Sequence, residues 1–356
     1  MRTKAFFPLV FCFAFLLVGP LSANASPEAL PKVVILGTGG TIAATGGSAT
    51  DLTNYKAGDL TADEIIAAVP SLKDFAQISA EQVDNIGSSN VNRVFWLKLA
   101  KRVNEVAARK DVDGIVITHG TNTLEETGYV LNLTAKTKKP IVLVGSMRPA
   151  TAISADGPLN LLQAVAVAGS KEAAGKGVMF ILNGEINGAR EGTKTNTTAV
   201  ETFRSHDIGF LGYVAQNKPV FYRESLRRHT TDSEFDMGNV KELPKVEVLY
   251  VYADPGTEAL DGMISAKAEG VVMAGLGNGA LPKVYQTKLG EVAKNGVAVV
   301  RSSRVGTGIV THESSDDKVG FITSDNLTPQ KARILLMVAL TKTKDPKEIQ
   351  RIFNTY

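Results

Sequence analysis

The stretch KVVILGTGGTIA, residues 32–43, decides how the rest of this sequence is interpreted. Its first half is a strongly apolar run at Val33–Leu36, which is typical of a buried strand. The run leads into the sequence GTGG, residues 37–40, a turn of the kind that glycine makes easily. The turn brings Thr41 to the carboxyl end of the strand, where open α/β sheets bind their ligands. Thr41 is therefore the first candidate for chemistry.

A second strand repeats this design. The run GIVIT at Gly114–Thr118 leads into HGTNT, residues 119–123, which again presents a threonine, Thr121, directly after a glycine. The carboxyl ends of parallel strands lie on one edge of a sheet, so we expect Thr41 and Thr121 to face one small cavity.

Short apolar runs alternate with helical segments along most of the chain, which predicts right-handed βαβ crossovers and parallel sheets. Further strands are predicted at Ile141–Val144, Val178–Leu182, Val246–Val251, Gly270–Ala274 and Val297–Arg301, and helices over Val91–Lys110, after Asp156, near Thr328 and near Pro346.

The alternation fails between about residues 216 and 244, which are rich in charged and hydroxyl side chains. A chain of 356 residues is long enough for two domains. We therefore predict a two-domain α/β protein, with a larger N-terminal parallel-sheet domain and a smaller C-terminal α/β domain. The predicted boundaries are a signal peptide at 1–25, the N-terminal catalytic domain at 26–221, an interdomain linker at 222–244 and the C-terminal domain at 245–356.

The N-terminus has the pattern of an export signal. Arg2 and Lys4 precede an apolar run, and a small-residue site predicts cleavage after Ala25. Cys12 is the only cysteine and lies inside that run, so thiol chemistry and disulfides are excluded from the mature chain. After cleavage, 37 basic residues face 36 acidic ones, which gives no electrostatic reason to expect nucleic acid or a membrane as partner. A small molecule is the expected partner.

The loop at Ala44–Leu60 is long for a compact domain, and loops of this kind tend to be lids or binding loops. Tyr55 is its only aromatic residue. The loop ends where Thr61 and Glu64 have the spacing of a capping box, which predicts the start of the next helix.

Each motif also has a simpler interpretation. A nicotinamide fingerprint needs a small residue where this chain has Ile42, and Thr41 could merely cap a turn. Lysines such as Lys194, which lies among hydroxyl residues, are mostly solvated. The four histidines are His119, His206, His229 and His312, and none of them has metal-ligand spacing. For His119 a packed or hydrogen-bonded role is expected.

Six motifs together resemble the bacterial type II, periplasmic L-asparaginases and glutaminase-asparaginases. The resemblance extends from about Lys32 to Tyr356, and the two threonine motifs are its most specific part. The motifs are GTGGTIA, THGTNT at Thr118–Thr123, SMRP at Ser146–Pro149, SADGPLNL at Ser154–Leu161, TKTNTT at Thr193–Thr198 and GNG at Gly277–Gly279.

The resemblance implies an enzyme that hydrolyses the side-chain amide of L-asparagine to L-aspartate and ammonia, with glutamine as a second substrate. It implies no cofactor and no metal. It also implies a homotetramer with active sites at the interface of intimate dimers. Together with the export signal, it predicts a periplasmic location.

The resemblance also implies residue roles. Thr41 would be the nucleophile, with Tyr55 as its activating group. Thr121 and Lys194 would form a second set, in which the lysine activates a hydroxyl or a water. Backbone N–H groups near Gly120 and Thr121 would bind the oxyanion. Ser88 would bind the α-carboxylate of the substrate.

Four positions depart from the family pattern. Asn122 stands where the family usually has Asp, and Ser89 where it has Gln or Glu. Both family residues bind the substrate's α-ammonium group. Asp254 falls where the family often has Asn, reaching the ammonium from a neighbouring subunit, so we hypothesise that its charge partly compensates for Asn122. The alternative is that Asp254 caps the turn that follows it. Glu313 is the nearest candidate for the partner-chain glutamate that supports Tyr55, although its spacing to the following Asp pair is one residue longer than usual.

Two other functions remain open at this stage. One is an exported two-lobed α/β amino-acid-binding protein, and the other is a weakly active member of the family. Binding proteins need neither paired hydroxyls at strand ends nor a lysine beside them, so these features favour the enzyme.

Overall fold

The computed structural model describes residues 29–356; the predicted signal peptide, Cys12 and the predicted cleavage site lie outside the described residues. The strands, in chain order, are β1 Lys32–Gly39, β2 Thr45–Gly46, β3 Tyr55–Lys56, β4 Gln77–Ile86, β5 Gly114–Thr118, β6 Ile141–Val144, β7 Val178–Leu182, β8 Glu185–Gly188, β9 Thr193–Lys194, β10 Phe203–Arg204, β11 Gly212–Ala215, β12 Lys218–Phe221, β13 Val246–Tyr250, β14 Gly270–Gly275, β15 Ala298–Ser303 and β16 Phe321–Thr323.

The α-helices of the same residues are α1 Ala62–Ala67, α2 Arg93–Ala108, α3 Leu124–Thr134, α4 Gly157–Ala168, α5 Glu258–Ser265, α6 Lys283–Lys294, α7 Ser314–Val319, α8 Pro329–Ala339 and α9 Pro346–Thr355. The strands and helices predicted from the alternating pattern are confirmed, with ends that differ by a few residues. The capping box is confirmed as well: the Thr61 side chain accepts from the backbone N–H of Glu64, and the Glu64 side chain accepts from that of Thr61.

The N-terminal domain is built on an eight-stranded sheet in the order β12-β11-β8-β7-β6-β5-β1-β4. The five strands from β4 to β7 in this order are parallel, as predicted for β1, β5, β6 and β7. The sheet is mixed rather than parallel throughout, because β8, β11 and β12 pair antiparallel.

Tight turns cause the change of direction. β7 and β8 are joined by Asn183-Gly184 and β11 and β12 by Gln216-Asn217, and all four residues have positive φ. Two consecutive positive φ angles are the signature of the two-residue turn that closes a hairpin. The second hairpin lies at the start of the stretch predicted to be irregular. Its outer strand tolerates Pro219 because an edge strand has one unpaired side. The edge strand β4 was not predicted, since its sequence is largely polar and half exposed.

The C-terminal domain has a four-stranded parallel sheet in the order β13-β14-β15-β16. One continuous apolar core joins the two domains, because α8 packs both on this sheet and on α3 of the N-terminal domain. The largest helix of the N-terminal domain, α2, buries Phe95, Leu99, Val103 and Val106 in that same core. Within residues 29–356, no helix combines the length and the hydropathy needed to cross a bilayer.

The turns after β1 and β5 touch each other. Neighbouring parallel strands place Gly37 opposite Thr118, and the chains that leave them converge. A Cβ added to Gly40, whose φ is +85°, would lie 2.2 Å from the backbone N of Gly120 and 2.3 Å from its Cα. Only two glycines can make this approach.

Gly40→Ala should therefore destabilise the fold by at least about 3 kcal/mol, since the new methyl meets backbone atoms and the residue keeps a strained φ. Urea unfolding followed by circular dichroism measures the effect. Gly47→Ala is the matched control, because nothing lies within 4 Å of the Cβ it would add. Equal unfolding midpoints for the two variants would contradict the close approach of the turns.

Candidate active site

The first candidate group lies immediately after β1. Gly39 and Gly40 both have positive φ, and Thr41 opens a short 3-10 turn with its side chain almost fully buried. The Thr41 hydroxyl lies 3.0 Å from the hydroxyl of Tyr55. A threonine hydroxyl is weakly nucleophilic at its ordinary pKa, so a hydrogen-bonded partner is what this chemistry requires.

The loop that carries Tyr55 is folded against the domain. The short hairpin of β2 and β3 places Tyr55 opposite Gly46, whose N–H donates to Thr151 at 2.8 Å. At the other end of the loop, the carbonyl of Ala43 accepts from the N–H of Asp59 at 2.7 Å. These bonds hold the tyrosine over the first turn.

The second candidate group follows β5. Thr121 is buried, and the ammonium of Lys194 donates to its hydroxyl at 2.9 Å and to the side-chain carbonyl of Asn122 at 3.3 Å. Burial lowers the pKa of Lys194, while the nearby charge of Glu125 opposes that shift. A lowered pKa favours the neutral amine that a proton acceptor needs.

Ser88 closes the space between the two turns. It is buried, and a Cβ added to Gly120 would lie 2.4 Å from its hydroxyl oxygen. That oxygen accepts from the backbone N–H of Asn122 at 3.2 Å, so the hydroxyl hydrogen of Ser88 stays available to a ligand. Ser88, Thr41 and Thr121 thus lie on adjoining turns at one edge of the sheet.

His119 is a fixed neutral group. Its Nδ1 donates to the carbonyl of Gly120 at 2.8 Å, since a carbonyl can only accept. In the neutral ring Nε2 is therefore an acceptor, and it accepts from the hydroxyl of Thr127 at 3.0 Å, which itself accepts from the indole N–H of Trp96. Burial lowers the pKa of His119 to about 4. The ring packs and bonds the turn, and both nitrogens are engaged within the protein.

Two family models match most of the chain: "Asparaginase, N-terminal" over residues 32–227 and "Glutaminase/Asparaginase C-terminal domain" over residues 245–353. The chain belongs to the asparaginase family. The predicted family membership is confirmed, together with a two-domain α/β fold.

Known asparaginases are similar over nearly their whole length. The "Probable L-asparaginase periplasmic" of Haemophilus influenzae is 49% identical, with 98% of this chain and 99% of that protein covered. A "Glutaminase-asparaginase" of Pseudomonas fluorescens biotype A is 48% identical, with 96% of each chain covered. The crystal structure of a "Probable Cytoplasmic L-asparaginase" from Campylobacter jejuni has a TM-score of 0.90 at 49% identity and covers 92% of this chain and 100% of that one.

Three of the residues predicted from the asparaginase resemblance lie apart from these groups. Ser89 is exposed, although it directly follows the buried Ser88 in the chain. Asp254 and Glu313 belong to the C-terminal domain, and both are exposed. Among the described residues, neither has a hydrogen bond or an ion pair to Thr41, Tyr55, Thr121 or Lys194.

The local settings of Asp254 and Glu313 differ. Glu313 precedes α7, and its N–H donates to Asp316 at 2.9 Å. Asp254 has a φ of +57°, and in the described chain its carboxylate accepts no hydrogen bond that would cap the following turn. The capping interpretation of Asp254 therefore has no support in the structure.

No group of three or more His, Cys, Asp or Glu side chains in the described part of this chain has the arrangement of a metal site. A groove of about 530 Å³ opens between the domains beside Lys194, with Tyr250 and Arg304 on its C-terminal wall. Sequence reasoning missed two buried ionisable groups: Glu125, whose charge acts on Lys194, and Lys331, which binds the carbonyl of Gly192 two residues before Lys194. A lysine inside the otherwise apolar stripe of a predicted helix was the available signal for the second of them.

Proposed function

We propose that this protein is an L-asparaginase that hydrolyses the side-chain amide of L-asparagine to L-aspartate and ammonia, with L-glutamine as a second substrate. One observation carries the proposal. Thr41, bonded to Tyr55, and Thr121, bonded to Lys194, stand on adjoining turns in a chain of the asparaginase family. Relatives named as asparaginases and as a glutaminase-asparaginase support this choice of substrates.

In this proposal the Thr41 oxygen attacks the amide carbon while its hydroxyl proton passes to the Tyr55 oxygen, and the phenolic proton of Tyr55 moves on to the amide nitrogen. The C–N bond then breaks, ammonia is released, and the acyl group remains bound to Thr41 as an ester. The Thr121–Lys194 pair activates the water that hydrolyses this ester and so releases aspartate. Backbone N–H groups near Gly120 and Thr121 stabilise the oxyanion, where one donor is worth about 10²–10³ in rate.

Ser88 donates its free hydroxyl hydrogen to the α-carboxylate of the substrate. Asn122 and Ser89 face the α-ammonium group with neutral atoms. A hydrogen bond to a charged group is worth about 1.5–3 kcal/mol and a neutral one about 0.5–1.5 kcal/mol. The expected loss in binding is therefore roughly tenfold.

Asp254 of a neighbouring subunit supplies part of the missing negative charge, and Glu313 of a neighbouring subunit supports Tyr55. This proposal requires a homotetramer built from intimate dimers, with active sites at the dimer interface. The exposure of both carboxylates, and their lack of contacts with the four catalytic candidates within one chain, support it.

The domains that provide these residues are proposed at 26–221 for the N-terminal catalytic unit and 245–356 for the C-terminal unit, with 222–244 as the linker. The last strand of the large sheet ends at Phe221 and the first strand of the small sheet begins at Val246, which supports these limits. The proposed location is the periplasm, after removal of residues 1–25, and the periplasmic relative supports it.

Thr41→Ala should abolish ammonia release from L-asparagine while leaving the thermal unfolding transition unchanged, because it removes one hydroxyl from the reacting centre. Ammonia release from L-asparagine, L-glutamine and their D-forms, measured on purified protein, defines the substrate range of the natural chain. Thr50→Ala, on the exposed part of the same loop, is the matched control. Turnover retained by Thr41→Ala would place the nucleophile elsewhere. Binding of asparagine without turnover by the natural chain would favour a binding protein.

Asp254→Asn should raise KM for L-asparagine, and Asn122→Asp should lower it roughly tenfold, because each change alters the negative charge offered to the α-ammonium. Steady-state kinetics at low ionic strength measures both. Exchanging another exposed aspartate, Asp63→Asn, controls for net charge. If Asp254→Asn leaves KM unchanged, the compensation hypothesis is wrong.

The exported protein should begin at Ser26 and behave as a tetramer. Intact-mass spectrometry of a periplasmic fraction gives the first residue, and light scattering of the purified protein gives the subunit number. A mass that still includes residues 1–25, or a monomer at micromolar concentration, would contradict these parts of the proposal.

A further inference from the structure

A fully buried ammonium lies behind the Thr121–Lys194 pair. Lys331, in the first turn of α8, is 1% exposed, and its Nζ donates to the carbonyl of Arg190 at 2.7 Å and to the carbonyl of Gly192. Within residues 29–356, no carboxylate lies within ion-pair distance of it. Burial lowers the pKa of Lys331 to about 8, which shows that the surroundings disfavour its charge. An apolar side chain of similar volume would cost less desolvation free energy at this position.

The two carbonyls that Lys331 binds belong to the segment that carries Lys194. Gly192 is two residues before Lys194, and a Cβ there would lie 2.2 Å from the ring of Phe180. The backbone is thus held between an aromatic ring of β7 and the ammonium of α8. The C-terminal domain also binds the beginning of the segment, because the Nε of Arg190 donates to the main-chain oxygen of Tyr356 at 3.0 Å. Little freedom is left to the main chain that leads to Lys194.

The same turn of α8 also binds the segment that follows Thr121. Gln330 donates to the carboxylate of Glu125 at 3.0 Å, and Glu125 lies in the first turn of α3, four residues after Thr121. Glu125 is 6% exposed, and its second oxygen has no hydrogen-bond partner in the described chain. The side chains of Gln330 and Lys331 therefore attach the Thr121 side and the Lys194 side of the pair to one helix.

We propose that the first turn of α8, through Gln330 and Lys331, positions the Thr121–Lys194 pair, which makes Lys331 a positioning residue of the reaction. This inference rests on the proposed function, since it gives Lys194 a role in turnover. It also assigns the C-terminal domain a task within its own subunit. That task is to fix the distance between the lysine nitrogen and the Thr121 hydroxyl at 2.9 Å.

The test is Lys331→Met, which keeps the length of the side chain and removes both hydrogen bonds. A displacement of about 1 Å at Lys194 should lower kcat for L-asparagine by about 10²-fold and leave KM unchanged, because Lys331 touches no substrate atom. Lys344→Met is the matched control. Its ammonium pairs with Glu269 on the surface at 3.2 Å, and such pairs contribute little. A kcat for Lys331→Met equal to that of the control would overturn the inference.

A second variant decides the matter if Lys331→Met does not fold. Gln330→Met removes only the hydrogen bond to Glu125 and should lower kcat about tenfold, again at constant KM. Unchanged kcat in a folded Gln330→Met protein would overturn the inference. Lys194→Met distinguishes a failure of the proposed role of Lys194 from a failure of the proposed role of α8. If Lys194→Met turns over normally, the proposed role of Lys194 fails; if it is inactive while both α8 variants keep full kcat, only the role of α8 fails.

Discussion

The contact between the backbones of Gly40 and Gly120 is the constraint on which the candidate site depends. Two strands that lie side by side in a parallel sheet deliver their turns to one edge, but side chains would normally keep those turns several ångströms apart. Here neither residue has a Cβ, and the space that one would need at Gly40 is already filled by the other turn. Thr41 and Thr121, each with its own partner, are therefore brought close together because Gly40 and Gly120 have no side chains.

Each hydroxyl of the site has its own partner, and the two partners differ in chemistry. Tyr55 reaches Thr41 from a loop that is bound to the domain by backbone hydrogen bonds, whereas Lys194 reaches Thr121 from a short strand behind it. Burial lowers the pKa of Lys194, and Glu125 limits this shift. Asn122 adds a hydrogen-bond acceptor without a charge. The lysine of this chain therefore stands next to a neutral side chain at the position where the resemblance implies a carboxylate.

The two domains pack against each other through a shared apolar core beside this site. Helix α8 packs on the small sheet and on α3, so that the apolar core continues from one domain into the other. At the N-terminal end of the same helix, Gln330 and Lys331 bind polar groups of the large domain. Apolar packing provides the attachment, and the buried hydrogen bonds fix its register, since a shift of α8 would leave a buried ammonium without acceptors.

The sequence by itself determined the strands β1, β5, β6 and β7, the division into two α/β units and the two threonine turns, because apolar runs and glycines act locally. It did not determine the antiparallel half of the large sheet, since that depends on two short turns at Asn183-Gly184 and Gln216-Asn217. Tertiary structure alone decided that Gly40 meets Gly120 and that Tyr55 stands over Thr41. It also decided that Lys331, from the far end of the chain, binds the segment before Lys194. Such contacts join residues as far as 205 positions apart. Their geometry depends on how whole layers of secondary structure pack, and a local pattern of residues carries no information about that packing.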